Sequence, residues 1–106
     1  MLNMFQFYGA PHIIYIYIDK RLGLYSIFDC GLLAENIALL AQEKELGTCI
    51  LAVSIWFTDI VRRYIDFRES DKIIMGIAIG YPDWDAPVNR FRSEQEPLQS
   101  VVRWVN

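Results

Sequence analysis

The distribution of polar residues singles out the stretch from Ser26 to Gly47 as one long helix. Between residues 30 and 41 the only polar side chains are those of Glu35 and Asn36. A surface helix normally has one apolar stripe and a broad polar face, whereas this segment is apolar on nearly every side. We therefore predict a helix over 26–47 that is covered from several directions, by a sheet of its own chain and by a second copy of itself.

Both ends of this segment carry sequence signals for a helix boundary. Ser26, followed three residues later by Asp29, resembles a capping box, with a hydroxyl for the first free N–H groups and a carboxylate in the first turn. Gly47 follows the last helical residues, where a left-handed residue ends many helices at least cost if it is glycine. The pattern predicts Ser26 as the N-cap and Gly47 as the C-terminal cap.

Two segments predict strands that are apolar on both faces. Residues 12–19 (HIIYIYID) and 72–80 (KIIMGIAIG) are rich in β-branched and aromatic residues. Such strands are typical of central positions, so the strand at 12–19 in particular is expected to be central and covered on both sides. The shorter predicted elements are an extended segment over 48–53, a helix over 58–64 with Thr58 as N-cap, and a last strand over 98–104. Together they indicate one α+β domain over 1–106.

Composition narrows the class of protein. Hydrophobic residues make up 54% of the chain and the mean hydropathy is +0.20, which indicates apolar surface meant for a partner. The net charge of −3 provides no field that would gather nucleic acid. No uninterrupted apolar run reaches the roughly 18 residues of a membrane span. Cys30 and Cys49 lack metal-ligand spacing and are expected to be reduced and buried, which indicates a cytoplasmic protein without a metal site.

Several residues allow both a functional and a structural interpretation. His12, the only histidine, is expected to be a packed strand residue and not a catalyst. Asp83 and Asp85 could act as a pair of functional carboxylates, or they could simply belong to a solvated turn. Four aromatic residues could line an aromatic pocket or pack in a core or interface: Trp56, Phe57, Trp84 and Phe91.

The order and spacing of four segments resemble the flavin-dependent nitroreductase family, in the branch that reduces nitrobenzoates and other nitroaromatics. The segments are GAPHIIYIYID at 9–19, SIFDCGLLAENIALLAQEKELGTCI at 26–50, DIVRRYI at 59–65 and IIMGIAIGYPDWDAPVNRFRSEQEPLQSVVRW at 73–104. The resemblance implies a partial nitroreductase-like fold, with the long interface helix packed on a small, mainly antiparallel sheet. It also implies that residues 87–106 form an extended C-terminal tail that reaches over a partner subunit.

By the same resemblance, the chain would be part of an FMN-containing homodimer joined through the 26–47 helix. Such enzymes pass electrons from NAD(P)H through the flavin to a nitroaromatic or quinone-like acceptor. Arg90 and Arg92 correspond to the stretch that binds the FMN phosphate, although they are also plausible as solvated loop residues. Gly47 and Thr48 correspond to backbone near the isoalloxazine ring, and a cap role for Gly47 does not exclude this. No side chain is implied as a catalytic residue.

The resemblance is to the C-terminal half of the family fold. Relatives normally begin with an arginine-rich segment that binds the flavin phosphate, so Met1 would lie well inside the fold. Many relatives also carry an arginine where this chain has Gln95, two residues before Pro97. The alternative function is therefore a truncated, flavin-free remnant that dimerises without catalysis of its own. The physiological acceptor and the choice between NADH and NADPH stay open.

Overall fold

One long helix and three strands form the framework of the computed structural model, which describes residues 6–106. In chain order the elements are a 3₁₀ turn at Phe7–Gly9, strand β1 at His12–Asp19, helix α1 at Leu24–Glu43, strand β2 at Gly47–Leu51, helix α2 at Val53–Trp56, helix α3 at Thr58–Tyr64, strand β3 at Asp71–Gly80, a 3₁₀ turn at Pro87–Arg90 and helix α4 at Leu98–Val101. The predicted α+β class is confirmed.

Strand β3 occupies the centre of the sheet, whose order is β1-β3-β2 with both pairings antiparallel. Its register places His12 opposite Ile79 on one side and Gly47 opposite Gly80 on the other. The prediction that 72–80 forms a buried strand is confirmed, since five of the ten residues of β3 are buried. The prediction that the strand at 12–19 is central is wrong, because β1 is an edge strand within this chain. Hydrophobic patterning reports which faces of a strand are covered, and it does not report how many neighbours pair with its edges.

The sheet carries apolar packing on both faces. On one face α1 lies with Cys30, Ala34 and Ile37 against Ile16 and Ile77. On the other face Leu51 and Ala78 are buried, with three partly buried residues packed against them: Phe7, Ala10 and Ile13. The neighbouring residues Ile77 and Ala78 of β3 belong to different clusters because successive side chains of a strand point to opposite faces of the sheet.

The ends of α1 differ from their sequence prediction. The helix begins at Leu24 with Gly23 as N-cap, so Ser26 lies inside the first turn and its hydroxyl does not cap. At the other end the amide of Leu46 donates to the carbonyl of Ala41 at 2.9 Å, and the amide of Glu45 donates to that of Gln42 at 3.0 Å. These bonds form a Schellman motif whose left-handed residue is Glu45, with a φ of 61°. Gly47 is therefore not the cap, and it opens β2.

Replacing Glu45 with glycine is expected to stabilise the chain by about 1 kcal/mol, because glycine adopts the left-handed conformation without a steric cost from Cβ. Chemical denaturation measures this change. The control is Glu43→Gly, which removes the same charge inside the last helical turn, where glycine is expected to destabilise by about 1 kcal/mol relative to a good helix former. Equal shifts for both variants would contradict the assigned helix end.

Three shorter predictions also need correction. The predicted strand over 98–104 is a single helical turn at Leu98–Val101. Helix α3 spans 58–64 as expected, although its N-cap is Phe57 and Thr58 is its first residue. The extended segment ends at Leu51, where α2 follows. These differences arise where short apolar segments fit more than one periodicity.

A polar cluster holds the connection between α3 and β3. The guanidinium of Arg68 donates to the carboxylate of buried Asp71 at 2.9 Å, and the backbone amide of Arg68 donates to the other oxygen at 2.9 Å. These hydrogen bonds hold the pKa of the Asp71 carboxyl below its usual value. Arg62 on α3 donates to the backbone carbonyls of Arg68 and Asp71. The buried carboxylate at the start of β3 is therefore satisfied by its own loop.

The chain exposes much more surface than its mass requires. Its accessible surface is 9098 Å², whereas a compact monomer of 12.4 kDa exposes about 6,100 Å². The side of α1 that faces away from the sheet contributes a stripe of apolar residues, which we call the outer stripe: Phe28, Leu32 and Leu39, 53–65% exposed. These three residues lie opposite the Cys30–Ala34–Ile37 stripe at 100° per residue. The predicted cover of α1 by its own sheet is present, and its outer side is open in a single chain.

Helix α1 is also long and apolar enough, by length and composition alone, to cross a membrane. The expectation of no such segment rests on uninterrupted apolar runs, and the polar residues Glu35 and Asn36 interrupt the apolar run of α1. The opposite side of α1, with Cys30, Ala34 and Ile37, packs on the sheet, as in the core helix of a globular fold.

Candidate functional site

An open groove of about 510 Å³ lies between the C-terminal part of α1, the start of β2 and the segment after β3. Leu46, Gly47 and Thr48 line it around the start of β2, and Trp84 lines it from the segment after β3. The wall from α1 consists of residues at helical spacing: Glu35, Ala38, Leu39 and Gln42. Glu45 completes the lining at the helix end.

The local sequence explains why β2 starts beside the groove. The Schellman turn reverses the chain after α1, and Leu46 then leads directly into the strand. A Cβ atom at Gly47 would lie 3.2 Å from Cβ of Pro82, closer than packed side chains normally approach. A larger residue at position 47 would require Pro82 to shift by a few tenths of an ångström, so the close contact with Pro82 favours glycine here, and helix capping does not account for it.

The turn that carries Trp84 is held by the two neighbouring aspartates. The amide of Asp85 donates to Oδ1 of Asp83 at 3.0 Å, and the amide of Ala86 donates to the backbone carbonyl of Asp83 at 3.2 Å. This confirms the interpretation of Asp83 and Asp85 as a solvated turn. The turn leaves Trp84 69% exposed, beside the groove.

Arg90 and Arg92 lie beyond this turn and outside the groove lining. Nη2 of Arg90 donates to the carbonyl of Asp85 at 3.4 Å, and Nη1 of Arg92 donates to the carbonyls of Asn89 and Phe91, each at 3.0 Å. Both arginines are exposed. A guanidinium group has five donors, so these bonds leave further donors available to an anion. Gly47 and Thr48 therefore line the groove, whereas Arg90 and Arg92 do not.

Other residues singled out by sequence are placed differently from expectation. His12 is exposed at the start of β1 and is not packed. Cys30 is buried as expected, whereas Cys49 is exposed on β2. Partial desolvation raises the pKa of the Cys49 thiol, which disfavours the reactive thiolate. All four candidate aromatic residues are at least 45% exposed, so none is packed in a core of this chain.

Sequence reasoning missed Glu35 and Gln42 as groove residues. Their positions relative to Ala38 and Leu39 follow the i, i+3, i+4, i+7 spacing of one helix face, which was the available signal. Only the tertiary position of Trp84 shows that this face borders a groove. Within residues 6–106, no group of three or more His, Cys, Asp or Glu side chains is placed to hold a metal ion.

Comparison with known proteins identifies the lineage. Residues 1–81 match the sequence profile of the Nitroreductase family. The chain belongs to the nitroreductase family. The expected resemblance is thereby confirmed over most of the chain.

The relatives of this nitroreductase-family chain are about twice its length. It is 31% identical over 101 residues to the 4-nitrobenzoate reductase of Pseudomonas putida, which covers 95% of this chain and 44% of the relative. It is 24% identical to the nitrobenzene nitroreductase of Ectopseudomonas oleovorans over 98% of this chain and 46% of the relative. The chain therefore spans less than half the length of these relatives.

A solved structure supports the same fold. The FMN-dependent nitroreductase NfnB from Mycobacterium smegmatis, in complex with NADPH, superposes with a TM-score of 0.91 and 28% identity. The superposition covers 98% of this chain and 46% of that structure. The nitroreductase-like fold predicted from the sequence is confirmed.

The described residues fit FMN in two separate parts. The guanidinium groups of Arg90 and Arg92 suit a phosphate dianion. The groove at Gly47 and Thr48 has the size of a small-molecule site and is bordered by an aromatic ring. Two carboxylates and no arginine line that groove, so it does not suit the phosphate. One chain therefore supplies arginines for the phosphate and a groove for an aromatic ring, but the arginines do not line that groove.

Proposed function

We propose that this chain forms part of a cytoplasmic, homodimeric FMN-dependent NAD(P)H oxidoreductase that reduces nitroaromatic or quinone-like compounds. The observation that carries the proposal is the superposition of 98% of the chain on an FMN-dependent nitroreductase in complex with NADPH. In the net reaction NAD(P)H is oxidised and a nitro group is reduced to a nitroso group, with uptake of one solvent proton and release of water. FMN, when bound, supplies the carrier for these electrons.

The chain's own residues have distinct parts in this proposal. Arg90 and Arg92 bind the phosphate of FMN by charge-assisted hydrogen bonds. The backbone at Gly47 and Thr48 approaches the ring system, and Trp84 provides an aromatic face for an acceptor. The outer stripe of α1, apart from Leu39 at the groove, joins two subunits and excludes water at the interface. The tail over 87–106 extends onto the partner subunit.

The relatives leave the charge of the acceptor open. One is named for 4-nitrobenzoate, which carries a carboxylate, and the other for nitrobenzene, which is uncharged. Their identities to this chain, 31% and 24%, do not separate the two classes of acceptor.

A second candidate function is a dimeric chain that binds no flavin. It is favoured by the position of Arg90 and Arg92 outside the groove and by Gln95 in place of the arginine of many relatives. An absorbance spectrum before and after addition of FMN and gel filtration, paired with the intact mass, separates the two candidates. Retained flavin and NADPH oxidation with nitrobenzene support the enzyme. Absence of retained flavin supports the second candidate.

In the enzyme, replacing Arg90 and Arg92 together with alanine is expected to weaken FMN binding at least about tenfold, because charge-assisted bonds to the phosphate are lost. Fluorescence titration with FMN measures the dissociation constant, and riboflavin, which lacks the phosphate, serves as a second ligand whose affinity should not change. Arg63→Ala on α3 is the matched control, since Arg63 is also exposed. Equal losses for FMN and riboflavin would show that the arginines do not act through the phosphate.

A further inference from the structure

We propose that the groove selects its acceptor by charge, admitting uncharged and cationic nitroaromatics and disfavouring those that carry a carboxylate. This inference rests on the proposed function, since it concerns the acceptor bound in the same groove. The carboxylates of Glu35 and Glu45 line the groove, and no lysine, arginine or histidine is among its described lining residues. Trp84 borders the same space and offers its ring to an aromatic ligand of any charge.

The helix that forms one wall adds to the negative potential. The C-terminal end of α1 borders the groove, and a helix C-terminus carries about half a negative charge. A carboxylated acceptor would thus meet three sources of negative potential: Glu35, Glu45 and the end of α1. A quaternary ammonium group would be attracted by all three and by the face of Trp84.

The residue at position 45 is unfavourable for folding in two respects. Its left-handed φ of 61° suits glycine better than glutamate. Its negative charge lies beyond the C-terminus of α1, where the helix dipole favours a cation. Local stability therefore does not account for a glutamate at this position.

No cation is present among the described lining residues of the groove. Lys44 follows the last residue of α1 and does not line the cavity, and Arg90 and Arg92 lie outside it. Because the groove is open to solvent, the effect is limited to that of surface charges. We expect discrimination of about five- to tenfold at low ionic strength, decreasing as salt screens the carboxylates.

Equilibrium dialysis of the full chain without NADPH tests the proposal. The probes are nitrobenzene, 4-nitrobenzoate and the cationic (4-nitrobenzyl)trimethylammonium, in buffer of about 20 mM ionic strength. The expected order of affinity is cation, then neutral compound, then carboxylate. In the double variant Glu35→Gln and Glu45→Gln the affinities for nitrobenzene and 4-nitrobenzoate should differ by less than about twofold, whereas the surface control Glu43→Gln should keep the wild-type order.

Equal binding of nitrobenzene and 4-nitrobenzoate to the wild type would overturn the proposal. So would discrimination that persists in the double variant, or a groove that binds none of the three probes. Failure of the proposed function would be seen separately, as no oxidation of NADPH with nitrobenzene in the presence of FMN. Because dialysis requires no turnover, selectivity by charge is decided whether or not the electrons are transferred.

Discussion

Replacement of Leu51 with alanine is expected to lower the free energy of unfolding by about 3 kcal/mol. Leu51 is fully buried at the end of β2, where it packs with Ala78. Removing its branched side chain leaves a cavity that the paired strands around it cannot close. Urea denaturation at one fixed protein concentration measures the change.

The neighbouring strand residue provides the control. Ile50 is 59% exposed, and it points to the opposite face of the sheet from Leu51. Ile50→Ala should therefore cost less than about 1 kcal/mol, since it removes little buried surface. A Leu51→Ala variant as stable as Ile50→Ala would contradict the position of Leu51 in the core.

Replacement of Leu32 with aspartate is expected to convert the proposed dimer into monomers while leaving the fold intact. Leu32 lies at the centre of the outer stripe and is 53% exposed in the single chain. In a dimer joined through α1 the new carboxylate would be buried without a partner, and we expect the dissociation constant to rise by about two orders of magnitude or more. Sedimentation equilibrium over a range of protein concentrations measures this constant.

A carboxylate placed elsewhere on the surface serves as the control, because it distinguishes a loss of association through α1 from a general effect of added charge. Tyr64 on α3 is 86% exposed, and Tyr64→Asp replaces an apolar residue with the same carboxylate outside α1. It should leave the dissociation constant unchanged. The proposal that the outer stripe forms the dimer interface would be contradicted by a wild-type chain that sediments as a monomer. It would also be contradicted by a Leu32→Asp variant that dimerises with normal affinity.

The outer stripe also changes how substitutions in α1 should be interpreted. From the sequence alone, aspartate in place of Leu39 or Leu40 is expected to give insoluble or monomeric protein, because it would place an unpaired charge on a buried surface. Both are 59% exposed in one chain. A charge on this side of the helix is therefore expected to act on association first, and Leu39 also lines the groove, which makes Leu32 the cleaner site.

The candidate site was accessible to sequence reasoning only in part. Gly47 and Thr48 were found through the family resemblance, and both line the groove. The reason given for Gly47 was wrong, because the pattern of a helix end does not distinguish a left-handed cap from a residue held close to a distant proline. Arg90 and Arg92 were grouped with these residues, and the chain places them outside the groove.

The sequence by itself determined the identity of the main elements, because their signals are local. A long apolar segment predicted α1, and β-branched runs predicted β1 and β3, each close to its observed bounds. The family motifs depend on short segments in a fixed order, which made membership accessible as well.

Only the tertiary structure decided which strand is central, which side of α1 is open and which residues form the groove. Each of these depends on contacts between segments far apart in the chain, such as Gly47 with Pro82, or Leu51 with Ala78. Periodicity shows that a residue is apolar on a given face, and it carries no information about what covers that face. The position of the left-handed cap at Glu45 instead of Gly47 has the same origin. Backbone hydrogen bonds and the start of β2 fix this turn, and the preference of glycine for the left-handed conformation does not.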